Sequence, residues 1–463
     1  MSENDLSLFA HLLRRAGFGA RRDELEAYAA KGYEAVVEEL LHPELRPPIE
    51  EDILHRYNGW DQGSGMAPAW LYRMINTERP LEEKVALFWH HVFATGTAKA
   101  EHPHTNMAQI EMFRHDGFSD MKTILVGLSR DPAMIHWLDN NENHKDEPNE
   151  NYGRELLELF SMGVGHYTET DIKMAGRAFT GWTFEQPIPL YTTGLYPVNF
   201  EYNEDDHDDS VKTFLGQEGR FNGEDIIDII VKQPATAAFI SRHMYNFFVA
   251  DEPQVPSWDT EPPQDPNAIE MLSKAYFDSD GEIRPMLRVL FNSDFFKEAR
   301  FKKVKNPAEL VTGVIKLVGT DRWPTPGFAR YASATTVMGQ MLMNPPTVEG
   351  WHTGSEWING GTLNERVNFA VNQVADATKP GVGEIVDHLA SQDGHVSPGQ
   401  FVDTCLDLVG SLVVSAATRD GLMEYANAAG EVSFGTEAER EESTAHVVRM
   451  LQLIVATREY QFA

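Results

Sequence analysis

Between Asn149 and Thr168 the chain reads NENYGRELLELFSMGVGHYT, a stretch that gathers acids, an arginine and a histidine. At about 100° per residue, a helix here turns Asn151, Arg154, Glu155 and Glu158 onto one face and Tyr152, Leu156, Leu159 and Phe160 onto the other. Glu155 and Glu158 can share a metal ion, or one can act as a general base held by Arg154. The same spacing also fits a solvated face carrying an Arg154–Glu158 surface pair worth about 0.2–0.5 kcal/mol. Gly163 stops this helix, and Thr168 with Asp171 caps the next, whose inner face uses Ile172, Ala175 and Phe179.

Histidines supply the second signal. Eight of the 17 fall between residues 90 and 166, an enrichment that suits metal ligation or proton transfer. Neither HExxH nor a Cys/His zinc spacing occurs. His90 projects opposite the apolar stripe of its helix and His91 lies at the edge, so both also read as hydrogen-bonded structural histidines.

Two further segments carry candidate residues. In EDDHDDSVKTFLG (204–216) the acids around His207 can attract a hard cation but lack the spacing of a calcium loop, and they equally describe a solvated acidic loop. Within it, Asp208 beside His207 can fix the imidazole and raise its basicity, with Lys212 following. In NPPTVEGWHTGSEWING (344–360) the prolines and glycines make a shaped loop whose Trp351 and Trp357 can stack on a sugar ring, clamp a partner, or plug the helix ends beneath. The Gly-x-Ser-x-Gly, Walker A and dinucleotide patterns are absent.

The elements that position these residues are helical nearly throughout. After Pro80, residues Leu81, Val85, Phe88, Trp89 and Val92 form an apolar stripe, and helices follow over 119–128 and 132–138. Further helices are predicted around 224–233, 235–249, 266–278, 306–318, 327–342 and 362–377, with Asn306-Pro-Ala-Glu309 as a capping box. The exception is 182–216, where Val198, Phe200 and Tyr202 alternate after turn signals and predict a small inserted β-ribbon. Pro/Asp-rich 251–267 reads as a surface loop. Gly- and Pro-punctuated 379–398 divides a main helical domain, 1–378, from a C-terminal helical segment, 379–463, packed on the same core. The fold class expected is all-α, one large core with a β-ribbon insertion.

Composition narrows the function. A chain of 463 residues with 42% apolar and 10% aromatic content supports a sizeable core. Its net charge of −32 and lack of basic runs argue against nucleic acid and against an anionic membrane surface. No apolar run reaches the roughly 20 residues of a membrane span. The single cysteine, Cys405, precludes an internal disulfide. The first twenty residues lack the basic start and apolar run of a signal peptide, so a cytoplasmic setting is expected.

Taken in order, HLLRRAGFG (11–19), PLEEKVALFWHHVF (80–93), DPAMIHWLDN (131–140), PNENYGRELLELFSMGVGHYT (148–168), AGRAFTGW (175–182), HDDSVKTFLG (207–216), NPPTVEGWHTGSEWIN (344–359) and ATREYQF (456–462) resemble the bacterial domain of unknown function 1800 family. The resemblance covers nearly the whole chain and implies a large, mainly helical domain. It implies no general activity; members are often exported and often encoded beside sulfatase-like proteins. Many relatives carry Phe-Trp-His-Asn-His-Phe where this chain has Trp89, His90, His91 and Val92.

The family motifs include Asn149, Glu150, Asn151, Arg154, Glu155, Glu158, Arg177, His207, Asp208, Lys212 and Trp351, which favours a buried polar network over a solvated face. The expectation is a polar cavity between the 149–161 helix, the 207–212 segment and the His90 helix, acting as a hydrolase-like or metal-assisted site. Glu155 and Glu158 would be ligands or general base, and His207 held by Asp208 would move protons or join His90 on a divalent metal ion. Arg154 and Lys212 would hold anionic oxygen. The alternative is a binding or assembly protein whose polar residues build a structural network and whose tryptophan loop meets a glycan or a protein partner.

Overall fold

Prolines and short polar caps start the helices of this chain. In the computed structural model, which describes residues 3–50, 64–100, 102–185, 198–325, 327–392 and 395–463, Pro80, Pro132, Pro234, Pro266 and Pro307 each open a helix. Asp120, Asp131, Asp265 and Asn306 accept hydrogen bonds from the backbone N–H groups of Thr123, Met134, Ala268 and Glu309. The resulting helices Pro80–Val92, Met121–Arg130, Pro132–Trp137, Gly223–Ile230, Pro234–Phe248, Pro266–Asp278, Pro307–Val318 and Gly360–Val374 fall within a few residues of the predicted spans. Arg330–Val337 is shorter than expected, because the chain turns at Met338 and Gly339.

The strands number six among the described residues, in three antiparallel pairs. β1 (Trp182–Phe184) pairs with β2 (Phe200–Tyr202), β3 (Lys212–Phe214) with β4 (Gln217–Gly219), and β5 (His395–Val396) with β6 (Val432–Ser433). The single ribbon expected over 182–216 is therefore two ribbons, its portion at 186–197 lying outside the described residues, and β5–β6 is an addition. The protein is mainly helical with small β-ribbons.

Residues 379–398 carry a helix of their own. Pro380 occupies the first helical position, where its missing N–H costs nothing, and Pro380–Ala390 is a helix. Val382, Leu389 and Val447 from the C-terminal segment share one apolar cluster with Trp89, Phe160 and Ile227. Burial of each such large side chain contributes about 1.5–3 kcal/mol before chain entropy is set against it. Cys405 is a buried free thiol. Among the described residues no helix is long and apolar enough to cross a membrane.

The polar stripe rides on Asn151–Glu158, which ends three residues before the expected Ser161. Beyond it the N–H groups of Phe160 and Met162 reach back five residues to the carbonyls of Glu155 and Leu157, each at 3.0 Å. Gly163, at φ 75°, then leads the chain away against Phe239 of Pro234–Phe248, whose ring would stand 2.9 Å from any Cβ there. Thr168 and Asp171 form the expected reciprocal cap of Glu169–Ala178, with Ile172, Ala175 and Phe179 fully buried beneath.

Candidate functional site

Glu155 and Glu158 lie half-buried on their helix, and Glu349 of the loop at 344–359 is near enough for its charge to act on Glu155. Burial raises the Glu155 carboxyl to about 7, with Glu158 and Glu349 adding like charge and Arg154 opposing. The Tyr167 hydroxyl donates to Glu158 Oε2 at 3.2 Å. Burial and the neighbouring Glu158 push the Tyr167 phenol up, so it remains a donor. Arg154 does not pair with Glu158. Its guanidinium meets Glu169 with Nη1–Oε1 at 3.1 Å and Nη2–Oε2 at 2.9 Å, so it is spent on the start of the next helix.

Beside this acidic cluster stands a group of buried histidines. Gly350, next to Glu349, presses onto the end of Pro80–Val92 so closely that a Cβ there would meet the His91 carbonyl at 2.4 Å. Trp351 follows, lying parallel to His91 at 6.4 Å and edge-on to His90 at 5.4 Å. His90 is also 5.5 Å from Trp70, and neither of its ring nitrogens has a hydrogen-bond partner. Burial, then His91, lowers His90 to about 3; burial, then Lys303, lowers His91 to about 4. His243 of Pro234–Phe248 joins them, held well below its ordinary value by burial, His91 and Arg242. These imidazoles are neutral at pH 7. Trp351 and Trp357 are 4% and 6% exposed and pack with Val304, so they plug the loop and present no ring to a sugar or partner.

The His207–Lys212 segment forms a separate network. His207 Nδ1 lies 3.0 Å from the Thr180 carbonyl, and its ring is 5.6 Å from Tyr202. Asp208 does not hold it. Arg177 Nε donates to Asp208 Oδ2 at 2.7 Å and the Ser210 N–H to Oδ1 at 2.9 Å. Burial pushes the Asp208 carboxyl up, but Arg177 and Ser210 outweigh it and hold the group well below the usual carboxylate range. His207 has extended backbone, at φ −86° and ψ 137°, and neighbours along an extended chain point to opposite sides. Lys212, 1% exposed, donates its ammonium to the carbonyls of Asp208 and Ser210.

Glu155, Glu158, His90 and His207 are therefore not brought together as one ligand set. Among the described residues no three His, Cys, Asp or Glu side chains are grouped to hold a metal ion. Residues that the sequence did not reveal are Glu349, Tyr167 and His243. The last two had local signals, a tyrosine in the tight turn after the helix and a histidine on an apolar helix face.

Fold and cluster together define a large, mainly helical protein in which a half-buried acidic cluster abuts neutral histidines sealed by a tryptophan loop. The chain belongs to the family described as protein of unknown function (DUF1800), whose model matches residues 11–462. No curated protein and no solved structure matches it.

Proposed function

We propose that the Glu155, Glu158 and Glu349 cluster is a hydrolase-like acid–base site. The observation that carries this reading is the half-buried Glu155 carboxyl one helical turn from Glu158, with the charge of Glu349 adding to the field, which leaves it partly protonated near neutral pH and able to give or take a proton. Glu155 is the acid that protonates a leaving group. Glu158, oriented by the Tyr167 hydroxyl, is the base that activates water. The acidic field of Glu158 and Glu349 around Glu155 repels anions, so the substrate class is neutral or cationic. Arg154 and Lys212, both engaged elsewhere, leave no cation here for an anionic substrate.

The test is hydrolysis of chromogenic esters, amides and glycosides by the wild type, Glu155→Gln and Glu158→Gln. We expect each variant to keep its circular dichroism and lose about 10²–10⁴-fold in rate. A folded Glu155→Gln with unchanged rate, or a wild type inert to every class, overturns the reading. For the motif residues Arg177, Asp208 and Lys212 a structural role is favoured, because their polar atoms are satisfied by one another and by backbone carbonyls.

A further inference from the structure

Three motifs from distant parts of the chain, HLLRRAGFG, KNPAE and ATREYQF, meet at a cavity of about 50 Å³ whose polar wall comprises Arg14, Arg21, Lys305, Lys316, Glu309 and Tyr460. The charge there runs against the rest of the molecule. In a chain of net charge −32, Arg14, Arg15, Lys84, Lys305 and Arg366 crowd about Glu309. That carboxylate is already taken by Lys84 and by Arg15 Nη1, the latter at 3.4 Å. Asp251, the nearby acid, pairs with Lys303 at 2.9 Å.

Arg21 in the wall pairs with Glu384 and Asp23, whereas Arg14, Lys305 and Arg366 hold only neutral acceptors. Arg14 Nη1 donates to the Gly410 carbonyl at 3.2 Å, while its Nε is buried without a partner. Lys305 donates to the Tyr460 carbonyl at 2.7 Å. Arg366, fully buried, donates to Gln461 at 3.1 Å and to the Lys305 carbonyl at 2.8 Å, with Nη1 unpaired. Burial depresses Arg14 and Arg366 to about 10 and holds Lys305 well below its ordinary value. Lys316, at the half-exposed rim, forms no ion pair among the described residues. Desolvated cations of one sign are costly unless an anion compensates them.

We infer that this cavity binds a small oxyanion, the phosphate or carboxylate group of a ligand, as counter-ion to Arg14, Lys305 and Lys316. The cavity has room for such a group, since one water molecule needs only about 10–15 Å³ in the same measure. The overall negative charge excludes extended polyanions and leaves a small, locally positive cavity selective for a single charged group.

The experiment uses the full chain in chloride buffer. Sodium phosphate and sodium acetate are titrated by calorimetry and thermal unfolding, against sodium chloride of equal ionic strength. Saturable binding of phosphate, acetate or both is expected, the stronger identifying the oxyanion type. Lys316→Ala should weaken it about tenfold. Lys305→Met should abolish it and be at least as stable as the wild type in chloride, having lost a partly buried cation without a counter-ion. A response matched by chloride, or an unchanged dissociation constant in Lys316→Ala, overturns the inference. Lys316→Ala decides the matter if Lys305→Met does not fold.

Discussion

The charge of Glu349 acts on Glu155 although one residue belongs to a loop and the other to a helix far back along the chain. Burial and two acidic neighbours raise the Glu155 carboxyl to about 7, from an ordinary value of 4.5. The folded protein therefore binds this proton more tightly than the unfolded chain does. The corresponding stability is full below about 4.5 and is lost as pH rises through about 7. Glu155→Gln stays neutral throughout. It should match the wild type at pH 4 and exceed it at pH 8 by on the order of 1 kcal/mol, once partial solvent exposure is allowed for. Urea midpoints at the two pH values check this, and a less stable variant at pH 8 would contradict it.

Glu309 joins the Asn306 cap to the buried cations Lys84 and Arg15. Burial raises its carboxyl, but Lys84 and Arg15 outweigh this and hold it at about 2, so its stabilisation is present above about 4.5 and lost as pH falls. Glu309→Gln keeps an acceptor for the Asn306 N–H and removes only the charge. We expect a loss of about 3–5 kcal/mol, since two cations lose their carboxylate in the core. Equilibrium unfolding at pH 7 measures it. A loss below about 1 kcal/mol would show that water or an anion replaces the carboxylate.

Trp351 seals His90 and His91 from water. Trp351→Ala should cost about 3–5 kcal/mol by leaving a cavity. The imidazoles of His90 and His91, now near about 3 and about 4, should rise toward the ordinary histidine value as water reaches them. Proton NMR of the ring signals across pH 3–8 follows both. Intact stability would contradict the plugging role and return Trp351 to the surface.

What was legible in the sequence was local. Apolar spacing and caps placed most helices, because Pro80, Asp131, Thr168 and Asn306 each act within one turn of where they stand. The stripe of Arg154, Glu155 and Glu158 was equally local. Its partners were not: Glu349 sits in an irregular loop with no periodicity, and Glu169 reaches Arg154 only because Gly163 reverses the chain. Adjacency misled at His207 and Asp208, where extended backbone turns neighbours apart and Arg177 takes the carboxylate. The Asn306 to Glu309 box was readable as a cap, whereas its buried partners Lys84 and Arg15 belong to other helices.

Asp208 supplies the discriminating case between structure and chemistry. It joins Arg177 to the Ser210 turn, its N–H donates to Thr180 Oγ1 at 2.8 Å, and its carbonyl accepts from Lys212. Asp208→Asn removes the charge opposite Arg177 and keeps the backbone bonds. It should cost about 1–3 kcal/mol, as expected for hydrogen bonds to a charged group. The loss should fall on the 207–219 segment, so amide exchange there quickens while Asn151–Glu158 stays protected. Because the Asp208 carboxylate is held so low, the stabilisation it supplies is present above about 3.8 and fades only as pH drops below that. If Glu155 carries the chemistry, any hydrolytic rate is retained by Asp208→Asn under folding conditions. A variant with wild-type exchange and no rate would move the reacting groups from the Glu155 cluster to this segment.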